Sequence, residues 1–168
     1  NHSVAKDHFS VKSMIRAKDA VRVAIIGARD ASPEGLEFAY EVGKLLGERG
    51  AIVYTGGAYG VMEAASKGVH AAGGIAVGIL KENDLSGANE YVTIPVMTGM
   101  GDLRNGIIIR SVQAAIAVEG AYGTLSEIAY TIGDKKPVVG FKSWDIPGII
   151  SVTSPSEAVN SILNRLKS

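Results

Sequence analysis

Two glycine-rich turns, one arginine and one glutamate carry most of the chemistry that this sequence offers. The first turn, Thr55-Gly56-Gly57-Ala58-Tyr59-Gly60, stands between the apolar run Ala51 to Tyr54 and an Ala-rich helical pattern. Such a junction aims successive backbone N–H groups and the positive end of a helix at one point, which suits a phosphate. The same glycines would also serve a tight strand-to-helix turn with no ligand. The second turn, Gly120-Ala121-Tyr122-Gly123-Thr124, is followed by Glu127, one helical turn beyond Gly123 and Thr124. Two roles are open to that carboxylate. In Thr124-Leu125-Ser126-Glu127 it can close a capping box on the helix start, or it can face a ligand at the mouth of a sheet. Arg104 begins another helical pattern after Met100-Gly101-Asp102, and its choice lies between an anion and solvent. Asp102 reads as an N-cap.

Two known phosphate loops can be tested against the first turn. A Walker loop ends in Gly-Lys-Ser/Thr, whereas Gly60 is followed by Val61 and Met62, which disfavours ATPase chemistry. The dinucleotide fingerprint needs glycines at relative positions one, three and six; counted from Gly56, those places hold Ala58 and Val61. Glu82 stands at about the interval of the fingerprint's ribose-binding acid, so only a weak dinucleotide signal survives.

These residues must be positioned by a fold, and the chain suffices for one domain. It has 168 residues, with 17 basic and 17 acidic side chains cancelling to zero net charge. No basic field marks it for nucleic acid. With no cysteine, it has neither a disulfide framework nor a thiolate metal site, which suits a reducing cytoplasm. Its apolar runs fall well short of the roughly 18–20 residues that span a bilayer, so no membrane partner is expected. Residues 1–19 read as a polar leader and 20–168 as the domain. His2 and His8 fall in the leader and His70 near a helix end that favours a cation, so no metal site is expected.

Glycine is the compositional outlier, at 21 residues, and it clusters where apolar runs meet helical patterns. Val21 to Ile26 reads as a buried strand, and Ser32 with Pro33 opens a helix that Gly50 ends. Ala51 to Tyr54, Ile75 to Leu80, Tyr91 to Ile94 (closed by Pro95), Ala114 to Val118, Pro137 to Phe141 and Ile149 to Val152 read as further strands. Helices are expected after the first turn, from Asp102, over Leu125 to Ile132, and from a Ser154 cap with Glu157 at the capping-box position. The alternation predicts an α/β, single-domain, doubly wound, mostly parallel Rossmann-like sheet with helices on both faces. Ligands of such sheets bind beyond the carboxyl ends of the strands, where both turns lie. Phe141 and Trp144 are expected to pack in the core or an interface, whereas Tyr59 and Tyr122 are placed to meet a ligand ring.

Taken together, Thr55-Gly56-Gly57-Ala58-Tyr59-Gly60-Val61-Met62, Arg104-Asn105 and Gly120-Ala121-Tyr122-Gly123-Thr124-Leu125-Ser126-Glu127 resemble the Lonely Guy family and its wider Rossmann-like relatives. The resemblance spans about Val21 to Val152. That family, once often called lysine decarboxylases, contains phosphoribohydrolases that release a base from a nucleoside 5′-monophosphate. Its relatives include molybdenum-cofactor carrier proteins and nucleotide-binding proteins. The resemblance implies Arg104 and Glu127 as catalytic residues. It implies Gly27, Thr55, Gly56, Gly57, Gly60, Met100, Asn105, Gly120, Gly123 and Thr124 as phosphate- or nucleotide-binding residues. Cleavage of an N-glycosidic bond builds oxocarbenium-like charge on ribose, which a carboxylate stabilises while orienting water. Glu127 would take that part, and Arg104 would hold a phosphate or ribose oxygen and keep Glu127 ionised.

Three departures accompany the match: Glu119 replaces a proline of the hydrolase motif, Ala121 its second glycine, and Asn105 a lysine. An inward-pointing Glu119 carboxylate would repel a phosphate, and the Ala121 methyl would narrow access to the backbone. The stretch Thr98 to Asn105 is more similar to the carrier-like branch. The implied protein binds a nucleotide or other phosphate ligand and hydrolyses a nucleoside 5′-monophosphate; the alternative is a non-catalytic binder or carrier of molybdenum cofactor or another phosphorylated cofactor. Hydrolysis would need no cofactor. The implied partners are a small phosphorylated ligand, nucleotide or molybdenum cofactor, and further copies of the chain in a homodimer or larger homo-oligomer.

Overall fold

The computed structural model describes residues 16–167. Most of the polar leader, with His2 and His8, lies outside the described residues. The strands are β1 (Arg22–Gly27), β2 (Ile52–Thr55), β3 (Ala76–Leu80), β4 (Ile94–Met97), β5 (Ala114–Val118), β6 (Val138–Phe141) and β7 (Ile149–Ser151). The helices are α1 (Pro33–Glu48), α2 (Val61–Ala71), α3 (Arg104–Arg110), α4 (Tyr122–Gly133) and α5 (Pro155–Leu166). All seven strands run parallel in one sheet, ordered β4-β3-β2-β1-β5-β6-β7. This is the expected Rossmann-like α/β fold.

The pleat sends alternate strand residues to opposite layers. Val23 and Ile25 of β1 and Ala114 and Ile116 of β5 pack beneath α1, α2 and α5, with Phe38, Val42, Leu46, Val69 and Ile162. Ala24, Ile26, Ala115 and Ala117 face the other layer, with Ile108 and Ile109 of α3 and Ile128 of α4. Phe141 stacks on Phe38 with ring centroids 4.0 Å apart, the core role expected of it. Truncating a fully buried centre such as Ile116 to alanine costs about 2–5 kcal/mol. No helix among the described residues is long and apolar enough to cross a membrane.

Two elements start three residues away from the sequence reading, and α3 starts at Arg104 rather than Asp102. β4 starts at Ile94 rather than Tyr91 and runs through Pro95. It is an edge strand bonded only to β3, and an edge tolerates a residue without an N–H. Helix α4 starts at Tyr122, three residues before the expected Leu125. The turn before it is tight: Glu119 has φ 52° and Gly120 φ 116°, so the chain is already redirected when it reaches Tyr122.

The strand order reverses between β1 and β5, where Gly27 pairs with Val118 at their carboxyl ends. That reversal creates the crevice in which open α/β sheets take their ligands.

Candidate functional site

A cleft of about 540 Å³ opens at this reversal. Its walls come from the end of β1 and the residues after it (Gly27, Arg29, Asp30), from the start of α3, and from the β5–α4 turn. Of the residues implied for the site, Arg104, Glu127, Gly27, Gly56, Asn105, Gly120, Gly123 and Thr124 line it. Thr55, Gly57, Gly60 and Met100 do not. Thr55 Oγ1 accepts from the Gly57 N–H at 2.9 Å, and Gly57 O accepts from Asn89, so these residues brace the β2–α2 turn from within. Gly60 O receives the first bond of α2, from Ala64 N, and Met100 stands half exposed with its N–H on Thr98 Oγ1. Glu82 lies outside the lining too, its carboxylate packed beside Gly87.

Arg104 is buried rather than solvated at its helix start. Nη1 donates to Gly56 O at 3.0 Å and to Ile79 O at 2.8 Å, and Nε donates to Asn105 Oδ1 at 2.9 Å. Three of its five N–H donors are thus spent on the protein, leaving the Nη2 amino group for the cleft. Gly56 permits this approach, since a Cβ there would stand 2.4 Å from Nη1. Asn105 continues the chain of bonds through Nδ2 to Ser126 Oγ, which donates to Gly123 O at 2.6 Å. Asp102 pairs with Lys81 at 3.5 Å within a 3-10 turn (Gly101–Leu103) and makes no cap bond.

Glu127 is 8% exposed and lines the same cleft. The capping-box role gives way, because α4 begins at Tyr122 and no side chain caps it. Among the described residues, nothing donates a hydrogen bond to this carboxylate, and it forms no direct ion pair with Arg104. Burial pushes its pKa up to about 8, and the charge of Arg104 offsets that only in part. Burial likewise lowers the Arg104 pKa, with Glu127 opposing. Arg104 thus favours the ionised form of Glu127, as expected, while desolvation, the larger effect, favours the neutral one.

The β5–α4 turn is the part best built for an anion. Trp144 Nε1 donates to Ala121 O at 3.0 Å and Ser143 Oγ to Glu119 O at 2.7 Å, which ties those carbonyls outward. The N–H groups of residues 120–124 carry no hydrogen bond among the described residues. They combine with the positive end of a 12-residue helix and with the hydroxyl of Thr124, which also has no partner there. A Cβ at Gly123 would meet nothing closer than Asn105 Nδ2 at 3.8 Å, whereas one at Gly120 would stand 2.5 Å from Thr124. Tyr122 is 82% exposed against Trp144, and Tyr59 sits outside the lining with Arg29 over its ring.

Sequence reasoning missed Arg29, Asp30, Lys81 and Lys142 as cleft residues. Their signal was positional: each follows the carboxyl end of β1, β3 or β6 within a few residues.

The SLOG cluster4 family matches residues 20–165. An uncharacterized protein of Archaeoglobus fulgidus is 41% identical over 142 residues, covering 83% of this chain and 93% of the relative. A probable cytokinin riboside 5′-monophosphate phosphoribohydrolase of Oryza sativa subsp. japonica is 35% identical over 97 residues, covering 56% of this chain and 39% of that protein. Among solved structures, the molybdenum cofactor binding protein of Rippkaea orientalis superposes with a TM-score of 0.84 at 30% identity, covering 92% of this chain and 99% of that one.

Proposed function

The chain belongs to the SLOG cluster4 family, and on that premise we propose that it binds and holds a small phosphorylated ligand, of the molybdenum-cofactor kind, without hydrolysing it. The observation that carries this reading is the pairing, in one cleft, of the open N-terminus of α4 with the buried carboxyl of Glu127. The phosphate sits on the N–H groups of residues 120–124 and the Thr124 hydroxyl, where helix end and amides favour negative charge. The guanidinium of Arg104, which lines the same cleft, adds a cation. A neutral Glu127 donates its O–H to an oxygen of the ligand.

The same features speak against glycoside cleavage. The carboxylate part in hydrolysis is to face an oxocarbenium-like ribose as an anion, and burial, which favours the neutral form of Glu127, works against that part. The Oryza relative, named as a probable hydrolase, aligns with little more than half of this chain, whereas the molybdenum cofactor binding protein aligns with nearly all of it.

The test is calorimetric titration with AMP and with isolated molybdenum cofactor, beside chromatography for free adenine. Binding without base release upholds the reading. Adenine release that Glu127→Gln abolishes would give the site to the hydrolase reading instead.

A further inference from the structure

The N-termini of α4, whose first turn lines the cleft, and of α1, which reaches the cleft only through Glu119, are in opposite states. That of α4 has free N–H groups, as above. That of α1 is filled from within the chain by the carboxylate of Glu119, which accepts from Ser32 N–H at 3.0 Å and from Ser32 Oγ at 2.7 Å.

The remaining donors at the α1 end are spent as well. Pro33 has no N–H, Gly35 N–H goes to Ser32 Oγ, and Leu36 N–H goes to Ser32 O. Among the described residues only the N–H of Glu34 is left. One nearby cation is taken too, since Lys142 Nζ is paired with the Glu34 carboxylate, and Arg29 is drawn over the Tyr59 ring. Glu119 is seated closely: a Cβ on Gly35 would stand 1.8 Å from its Oε2. Its backbone is bent to reach, with φ 52°, a value closed to proline and unfavourable for any side chain.

From this we infer that Glu119 is a specificity-determining residue, a built-in anion that restricts the cleft to ligands ending in a single phosphate monoester. The inference deepens the proposed function and rests on it. Glu119 immediately precedes the turn that would receive the phosphate, and it lines the same cleft. In dinucleotide-binding relatives of this architecture the helix after β1 takes part of a pyrophosphate. Here that helix end already holds a negative charge, so a second phosphate beside the first meets a carboxylate instead of donors.

The experiment compares AMP with ADP by calorimetry on the full chain, in the unmutated protein, in Glu119→Gly and in Glu119→Gln. Glycine suits φ 52° and vacates the helix end; glutamine keeps the contact with Ser32 and removes the charge. The readout is the ratio of the two affinities, which a general loosening of α1 would leave alone. We expect the unmutated protein to prefer AMP by about tenfold or more, and Glu119→Gly to bring the ratio to within about threefold, with Glu119→Gln between them. A ratio near one in the unmutated protein, or a ratio that neither variant moves, overturns the inference while AMP binding leaves the proposed function standing. Absence of binding by both nucleotides and by molybdenum cofactor overturns both.

Discussion

Arg104 Nη1 donates to the carbonyl oxygen of Gly56 at 3.0 Å, across the sheet end between α3 and the β2–α2 turn. The guanidinium therefore holds the cleft together before it meets any ligand. Arg104→Ala strips the bonds to Gly56 O and Ile79 O and leaves buried carbonyls without donors, at a cost of about 2–4 kcal/mol. We expect a fall in melting temperature of roughly 4–16 °C, read by circular dichroism. An unchanged melting temperature would mean that the arginine serves the ligand alone.

Thr124→Val separates binding from stability. Thr124 is a buried residue at the α4 end whose hydroxyl carries no hydrogen bond among the described residues, so valine leaves the fold intact. Phosphate-ligand affinity should fall about three- to tenfold, the worth of one hydrogen bond, while the denaturation midpoint moves little. Calorimetry and a denaturant titration on the same preparation check both halves.

The stability of the protein should depend on pH through Glu127. Its folded pKa is raised to about 8, above the ordinary 4.5, so between these values the folded state holds a proton that the unfolded state has released. Stability is fully present below about 4.5 and declines as pH rises towards 8, with a slope of up to about 1.4 kcal/mol per pH unit. Glu127→Gln removes this titration. Denaturant midpoints measured from pH 5 to pH 8.5 should then fall less steeply in the variant than in the parent; parallel curves would contradict the buried, proton-holding carboxyl.

Much of this arrangement was legible in the sequence, for reasons that differ by element. The five buried residues Ala114 to Val118 form an uninterrupted apolar run and were read as the strand they are, and Ser32 with Pro33 marked the start of α1 correctly. Arg104 and Glu127 were paired by resemblance and do share a cleft. The start of α4 was misplaced because it depends on the positive φ of Glu119, a conformation that side-chain type does not announce. The bond between Glu119 and Ser32 spans 87 positions and exists only because β1 and β5 are neighbours, so no local spacing could reveal it. The state of Glu127 was equally out of reach, since burial rather than the identity of its neighbours decides it.

The most direct test of a non-hydrolytic phosphate site at the α4 end is a co-elution measurement with Gly123→Asp. That change adds a negative charge within the first turn of α4, at a position where a Cβ meets nothing closer than 3.8 Å. Isolated molybdenum cofactor is mixed with each protein, passed through a size-exclusion column, and quantified as pterin fluorescence in the protein peak. We expect close to one equivalent with the unmutated chain and a loss of at least about tenfold with Gly123→Asp. Pterin absent from both peaks, or carried equally by both, would contradict the assignment.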